Sequence, residues 1–283
     1  MTLSSIDLER YEKEHPRKFK MADKFSTFTN PPIICIPLFL IICFCLSASF
    51  SPNFSFDLNK FLILEGVSLL FISILPMAII LYWAKKLNTD KDISNRSDRY
   101  TPLLVGVISY FIGFLVSYFL HLDWFLTILI LCYSIDTFIV TLITTQWKVS
   151  IHTTGLSGPV TALLILLGPI GALFGLLYPI LIWSRVLLKK HSLAQAVVGG
   201  IQGYFLTWFW MYLFINVFNL PISNIFDPII TLWLILALIL YPSIFAASCY
   251  LNKDNDKIKK IIFAIISIIV LGAFFLYAPL SAL

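Results

Sequence analysis

Long apolar runs alternate with short polar islands along this chain. The runs occupy residues 33–50, 61–84, 102–121, 124–146, 159–183, 192–217, 228–250 and 261–283. Each is close to the roughly 20 residues that cross about 30 Å of hydrocarbon at 1.5 Å per residue. The runs are continuous rather than alternating, which predicts helices and argues against a barrel. The expected fold is an all-α, polytopic membrane bundle of about eight or nine helices. Residues 1–30 are polar and basic and end in Asn30-Pro31-Pro32. They read as a cytoplasmic N-terminal segment ahead of one transmembrane domain over 31–283. Within it, a core of about 61–215 is followed by two extra spans over 228–283. A signal peptide fits poorly, because the leader before the first run is too long.

Composition agrees. Apolar residues make up 59% of the 283 positions and charged residues 12%, against about 25% charge in a soluble domain. Cys35, Cys43, Cys45, Cys132 and Cys249 all sit inside apolar runs. None has metal-like spacing with histidine, so they read as buried thiols without disulfides or zinc.

Charge placement sets the expected orientation. With a cytoplasmic N-terminus, the outer connections are 51–60, 121–123 and 218–227. Of the 20 Lys and Arg residues, only Lys60 falls there. The net charge of +5 therefore reads as a topology signal and not as nucleic-acid binding. This count holds only if residues 154–183 double back, since a single span would put Arg185, Lys189 and Lys190 outside. Gly168-Pro169-Ile170-Gly171 supplies the bend, with a missing donor at proline and conformational freedom at glycine. Two helices of about 14 residues, each roughly 21 Å long, are expected to form a hairpin.

Three polar islands then share the cytoplasmic face. The first contains Asp92, Arg96 and Arg99. The second is Trp147-Lys148-Val149-Ser150-Ile151-His152. The third is Trp183-Ser184-Arg185, then His191 and Gln195. Guanidinium groups bind phosphate oxygens bidentately and keep their charge at any working pH. One histidine can attack phosphorus while a second protonates the departing alkoxide. His191 and Gln195 are four apart on one helix face, so the amide is expected to accept a hydrogen bond from the imidazole. Arg96, Arg99, Lys148, Ser150 and Arg185 are the candidate phosphate ligands.

These islands resemble three motifs of the type 2 phosphatidic acid phosphatase family, within the lipid phosphatase/haloperoxidase-like superfamily. Ser184-Arg185, five residues, His191 looks like the family's third motif. Ser150-Ile151-His152 is similar to its second, Pro-Ser-Gly-His. Asp92, six residues, Arg99 is similar to its first, Lys, six residues, Arg-Pro. The resemblance implies a helical lipid phosphatase acting through a phosphohistidine on a phosphatidate-like or isoprenoid phosphate or diphosphate. His191 would be the nucleophile and His152 the general acid. Arg99, Arg185 and Ser150 would bind phosphate, with no metal and no other cofactor. The chain departs from the family at Asp92, Tyr100, Val149, Ile151 and Gln195. The last replaces an aspartate, and a neutral amide cannot stabilise the imidazolium as a carboxylate does.

Two other readings start from different residues. Asn88-Thr89-Asp90-Lys91-Asp92 is faintly similar to the first aspartate-rich motif of magnesium-dependent intramembrane prenyltransferases. The later connection offers only Asp254 and Asp256, set among lysines. A non-catalytic lipid-binding or transport protein would instead use Glu65 and Asp136 inside the spans. For Asp136 an interhelical hydrogen bond is the simpler expectation, and Gly199 with Gly203 reads as close helix packing.

Overall fold

The computed structural model describes residues 13–49, 53–86, 88, 97–222 and 225–244. Arg96, Asp90, Asp92, Cys249, Asp254, Asp256 and the run 261–283 lie outside the described residues. The described chain is an all-α bundle. Its helices are α1 (Pro16–Phe28), α2 (Pro31–Ser47), α3 (Leu58–Lys86), α4 (Tyr100–Phe119), α5 (Trp124–Gln146), α6 (Ile151–Leu167), α7 (Pro169–Leu187), α8 (Leu193–Tyr212) and α9 (Pro228–Leu234). A wider π stretch at Leu69–Ile74 interrupts α3. Similar stretches extend α8 over Leu213–Val217 and α9 over Ile235–Leu240. Among the described residues, α3, α4, α5 and α7 are long and apolar enough to cross a membrane. The α1–α2 pair, bent by 62°, would make a fifth span.

The helix starts follow from local chemistry. Asp57, Asp123, Ser150, Ser192 and Asp227 each accept a backbone N–H at the start of α3, α5, α6, α8 and α9. Such caps satisfy donors that the first turn leaves open. The caps of α3 and α5 also mark one end of the bundle. There Lys60 Nζ meets Asp123 Oδ2 at 2.8 Å, so the sole outer cation of the sequence count is neutralised. A two-residue antiparallel ladder, β1 (Ala48–Ser49) with β2 (Ser55–Phe56), closes the same end.

Residues 154–183 do form a hairpin. Gly168 has φ +55°, and a Cβ there would fall within 2.3 Å of the Phe226 ring, so glycine is required on both counts. A Cβ on Gly171 would strike the Leu163 carbonyl at 2.3 Å, which measures how tightly the turn folds back. The arms are longer than the sequence suggested, at 17 residues for α6 and 19 for α7. The open ends meet again, where Lys148 Nζ donates to the Lys190 carbonyl at 3.0 Å.

Central helix α6 is buried along most of its length, as an interior helix apolar on all sides should be. It packs against α8 through small residues. A Cβ on Gly203 would lie 2.7 Å from the Thr154 carbonyl, and the Thr154 hydroxyl donates to the Gly199 carbonyl at 2.8 Å. Close backbone approach of this kind is how helices associate where lipid removes the hydrophobic drive. Asp136 accepts a hydrogen bond from Thr207 at 2.8 Å, tying α5 to α8. Cys35, Cys43 and Cys132 are buried free thiols, and Cys45 is a half-buried one.

Candidate active site

The other end of the bundle gathers the histidines and basic side chains. His152 sits in the first turn of α6. His191 lies just past α7, where the chain closes the helix through Lys189 at φ +51°. That left-handed residue lets Lys190 N and His191 N both donate back to the Arg185 carbonyl, at 3.1 and 3.3 Å. This is the closure expected at a helix C-terminus. It folds His191 over the last turn that carries Ser184 and Arg185. The chain then starts α8 at once with a reciprocal capping box between Ser192 and Gln195.

One knot of backbone bonds sets α6 against α8. Ser150 N donates to the Gln195 carbonyl at 3.2 Å. The Ser150 carbonyl accepts from the hydroxyls of Thr153 and Thr154 at 3.0 and 3.1 Å. Gly199 packs against this turn, and a Cβ there would lie 2.7 Å from both Ser150 O and Thr153 Oγ1. The two histidine-bearing helix starts therefore cannot drift apart without breaking buried hydrogen bonds.

His152, His191 and Arg99 line one cavity, of about 110 Å³. Its described wall carries no carboxylate. Both histidines are 5% exposed and Arg99 3%. Arg99 Nη1 points at the Val149 carbonyl, 3.5 Å away. Among the described residues, neither ring nitrogen of His191 has a hydrogen-bond partner. Leaving buried polar atoms unsatisfied costs about 1–3 kcal/mol, a cost that a ligand hydrogen-bonding to the ring would relieve. Burial, then the charges of Arg99, Arg185, Lys148 and His152, push its pKa down to about 2. It is neutral at any working pH and keeps a free lone pair.

Several expected ligands occupy other roles. Gln195 does not orient His191. Its Oε1 accepts from Ser192 N at 3.0 Å, because the N-terminal turn of α8 competes for the amide. Ser150 caps α6, its Oγ accepting from Thr153 N at 3.5 Å, and it forms no part of the cavity wall. Arg185 is fully buried and reaches His191 electrostatically.

The N-terminal region contributes what the sequence reading missed. Arg185 Nη1 donates to Ser26 Oγ at 2.6 Å, and Ser184 Oγ donates to the Ala22 carbonyl at 2.7 Å. Phe19 and Ala22 of α1 bury against Leu187, with Trp183 and Leu188 alongside. Helix α1 thus forms the back wall behind Arg185. The only trace of this in the sequence is a small face, Ala22 and Ser26 four apart, on an otherwise basic helix.

The chain matches no protein-family model, no curated protein and no solved structure.

Proposed function

We propose that this chain is a membrane lipid phosphatase, a divergent member of the type 2 phosphatidic acid phosphatase family, working through a phosphohistidine. The observation that carries the reading is His191, neutral, buried and without a hydrogen-bond partner among the described residues, facing a cavity that Arg99 and His152 also line. A phosphate monoester or diphosphate of a lipid supplies the missing negative charge. Arg99 holds its non-bridging oxygens, and the nearby charges of Arg185 and Lys148 add field that favours the anion as charge shifts in the transition state. The His191 lone pair attacks phosphorus, and the bond to the lipid oxygen breaks. His152 gives that oxygen a proton and leaves as the conjugate base. It then takes a proton from the water that attacks the phosphohistidine, releasing inorganic phosphate and restoring both rings. The scheme uses no metal ion.

Purified protein is expected to release phosphate from phosphatidate-like or isoprenoid phosphates with a chelator present, and vanadate is expected to block it. His152→Ala should slow phosphoryl transfer from an alkyl phosphate by about 10²-fold or more yet spare the first-turnover burst from a nitrophenyl phosphate, whose leaving group needs no proton, while later turnovers wait on the unassisted water step. Strict magnesium dependence with transfer of a prenyl group would support the prenyltransferase reading instead.

Ser26 is a positioning residue in this account, because it fixes the Arg185 guanidinium whose charge acts on the site. Ser26→Ala should weaken turnover on the order of ten-fold, the scale of one hydrogen bond to a charged group, and Ser26→Thr should restore it. Equal activity in Ser26→Ala and wild type would show the contact to be idle.

The one-sided Lys and Arg distribution supports a site on the cytoplasmic face. In a cysteine-free background, Gln146→Cys and Ser55→Cys, at exposed positions on opposite ends, should react from opposite sides of the membrane. Labelling of both from outside would reject this orientation.

A further inference from the structure

The cavity continues well past the histidines, and its far wall differs from its mouth. Five helices line it. On each, the lining residue farthest from the histidine end can be read from chain direction. Those residues are Cys35 on α2, Pro76 on α3, Tyr110 on α4, Tyr133 on α5 and Gly155 on α6. Two aromatic rings dominate that floor. Tyr110 and Tyr133 meet edge to face with centroids 5.7 Å apart. Tyr133 is braced from behind by Phe39, at 5.5 Å and 71°, and its hydroxyl lies 3.4 Å from Cys35 Sγ. Between mouth and floor the wall is mainly apolar, with Leu103, Gly106 and Val140 among its residues. Arg99 and Tyr110 are eleven residues apart along the same helical face, a depth of about 16 Å at 1.5 Å per residue.

We infer that this cavity takes a single hydrocarbon chain inside the bundle and that the Tyr110–Tyr133 pair limits its length. The inference rests on the proposed placement of the phosphate at His191. An apolar body with a few convergent polar groups at one end is the form of an amphiphile site. A cavity of about 110 Å³, below the roughly 150 Å³ that takes up benzene, holds only a short chain of a few carbons. Gly106 lies partway down the wall. A Cβ there would meet only Tyr110 Cε2, at 3.8 Å, so a larger side chain at that position enters the cavity and shortens it. The selected ligands are therefore phosphates of short single-chain lipids. A double-chain lipid must leave one chain outside.

The test uses alkylphosphonates from propyl to dodecyl, each with a diazirine at the chain end, and the full-length protein in phosphatidylcholine nanodiscs. A phosphonate carbon–phosphorus bond resists turnover, so occupancy is read without catalysis. After irradiation, probes near hexyl should label Tyr110, Tyr133 or Cys35, and shorter or longer ones should label them several-fold less. Gly106→Leu should move the strongest floor labelling to shorter probes. Tyr110→Leu should move it to longer ones. If Tyr110→Leu fails to fold, Gly106→Leu alone decides. Labelling confined to the lipid-facing Ile108, Phe111 and Ile112, regardless of length and unchanged by Gly106→Leu, would overturn the inference. Length-selective floor labelling in a protein that releases no phosphate would leave the chain site standing and reject only the phosphatase reading.

Discussion

Replacing His191 with alanine should abolish phosphate release, with turnover falling by about 10³-fold or more. No other group can take over. His152 lines the same cavity, yet its proton is needed at the leaving oxygen, and one ring cannot attack and protonate in the same step. The substitution should leave the fold intact. Among the described residues the imidazole makes no hydrogen bond that alanine would forfeit, and removing an unsatisfied buried polar group offsets part of the lost packing. Single-turnover phosphate release, beside a thermal unfolding curve, separates the outcomes. An inactive protein with unchanged unfolding supports the role. An active His191→Ala protein rejects it.

The second large effect concerns geometry. Gly199→Val should cut activity by about 10²-fold, because a misplacement of about 1 Å at the reacting groups is enough for that loss. A side chain at Gly199 meets Ser150 O and Thr153 Oγ1 at 2.7 Å. These atoms belong to the turn that fixes His152 against the start of α8. Relief requires α6 and α8 to separate, at a cost of about 1–3 kcal/mol. Gly66→Val is the matched control, since a Cβ there meets nothing within 4 Å. Both variants add the same atoms to a helix in the same bundle. If both lose activity equally, the close approach of α6 and α8 is not what sets the site.

Much of this arrangement was legible in the sequence because it is written in local chemistry. The apolar runs set the helices, and Gly168-Pro169 announced the bend that returns Arg185 to the side of Lys148. The spacing from Arg185 to His191 also carried through, since one helix C-terminal closure spans it. What stayed hidden depends on competition between partners. Gln195 sits one turn after His191, and on spacing alone it could face the ring. Four residues do not reveal that Ser192 N–H claims the amide first. Ser150 was read as a phosphate ligand for the same reason, although capping uses its hydroxyl. Ser26 was invisible because its partner Arg185 is 159 positions away, and no periodicity encodes such a pairing. The floor of the cavity was hidden likewise. Tyr110, Tyr133 and Cys35 look like ordinary members of three apolar runs until the helices pack.

The most direct measurement is rapid-quench trapping during turnover of a phosphorus-labelled lipid phosphate, followed by mapping of the modified residue. The account predicts an acid-labile, base-stable phosphoryl group on His191. It should form within one turnover, accumulate when His152 is replaced and a good leaving group is used, and be absent in His191→Ala. Turnover with no phosphoenzyme at His191 under the same conditions would contradict it.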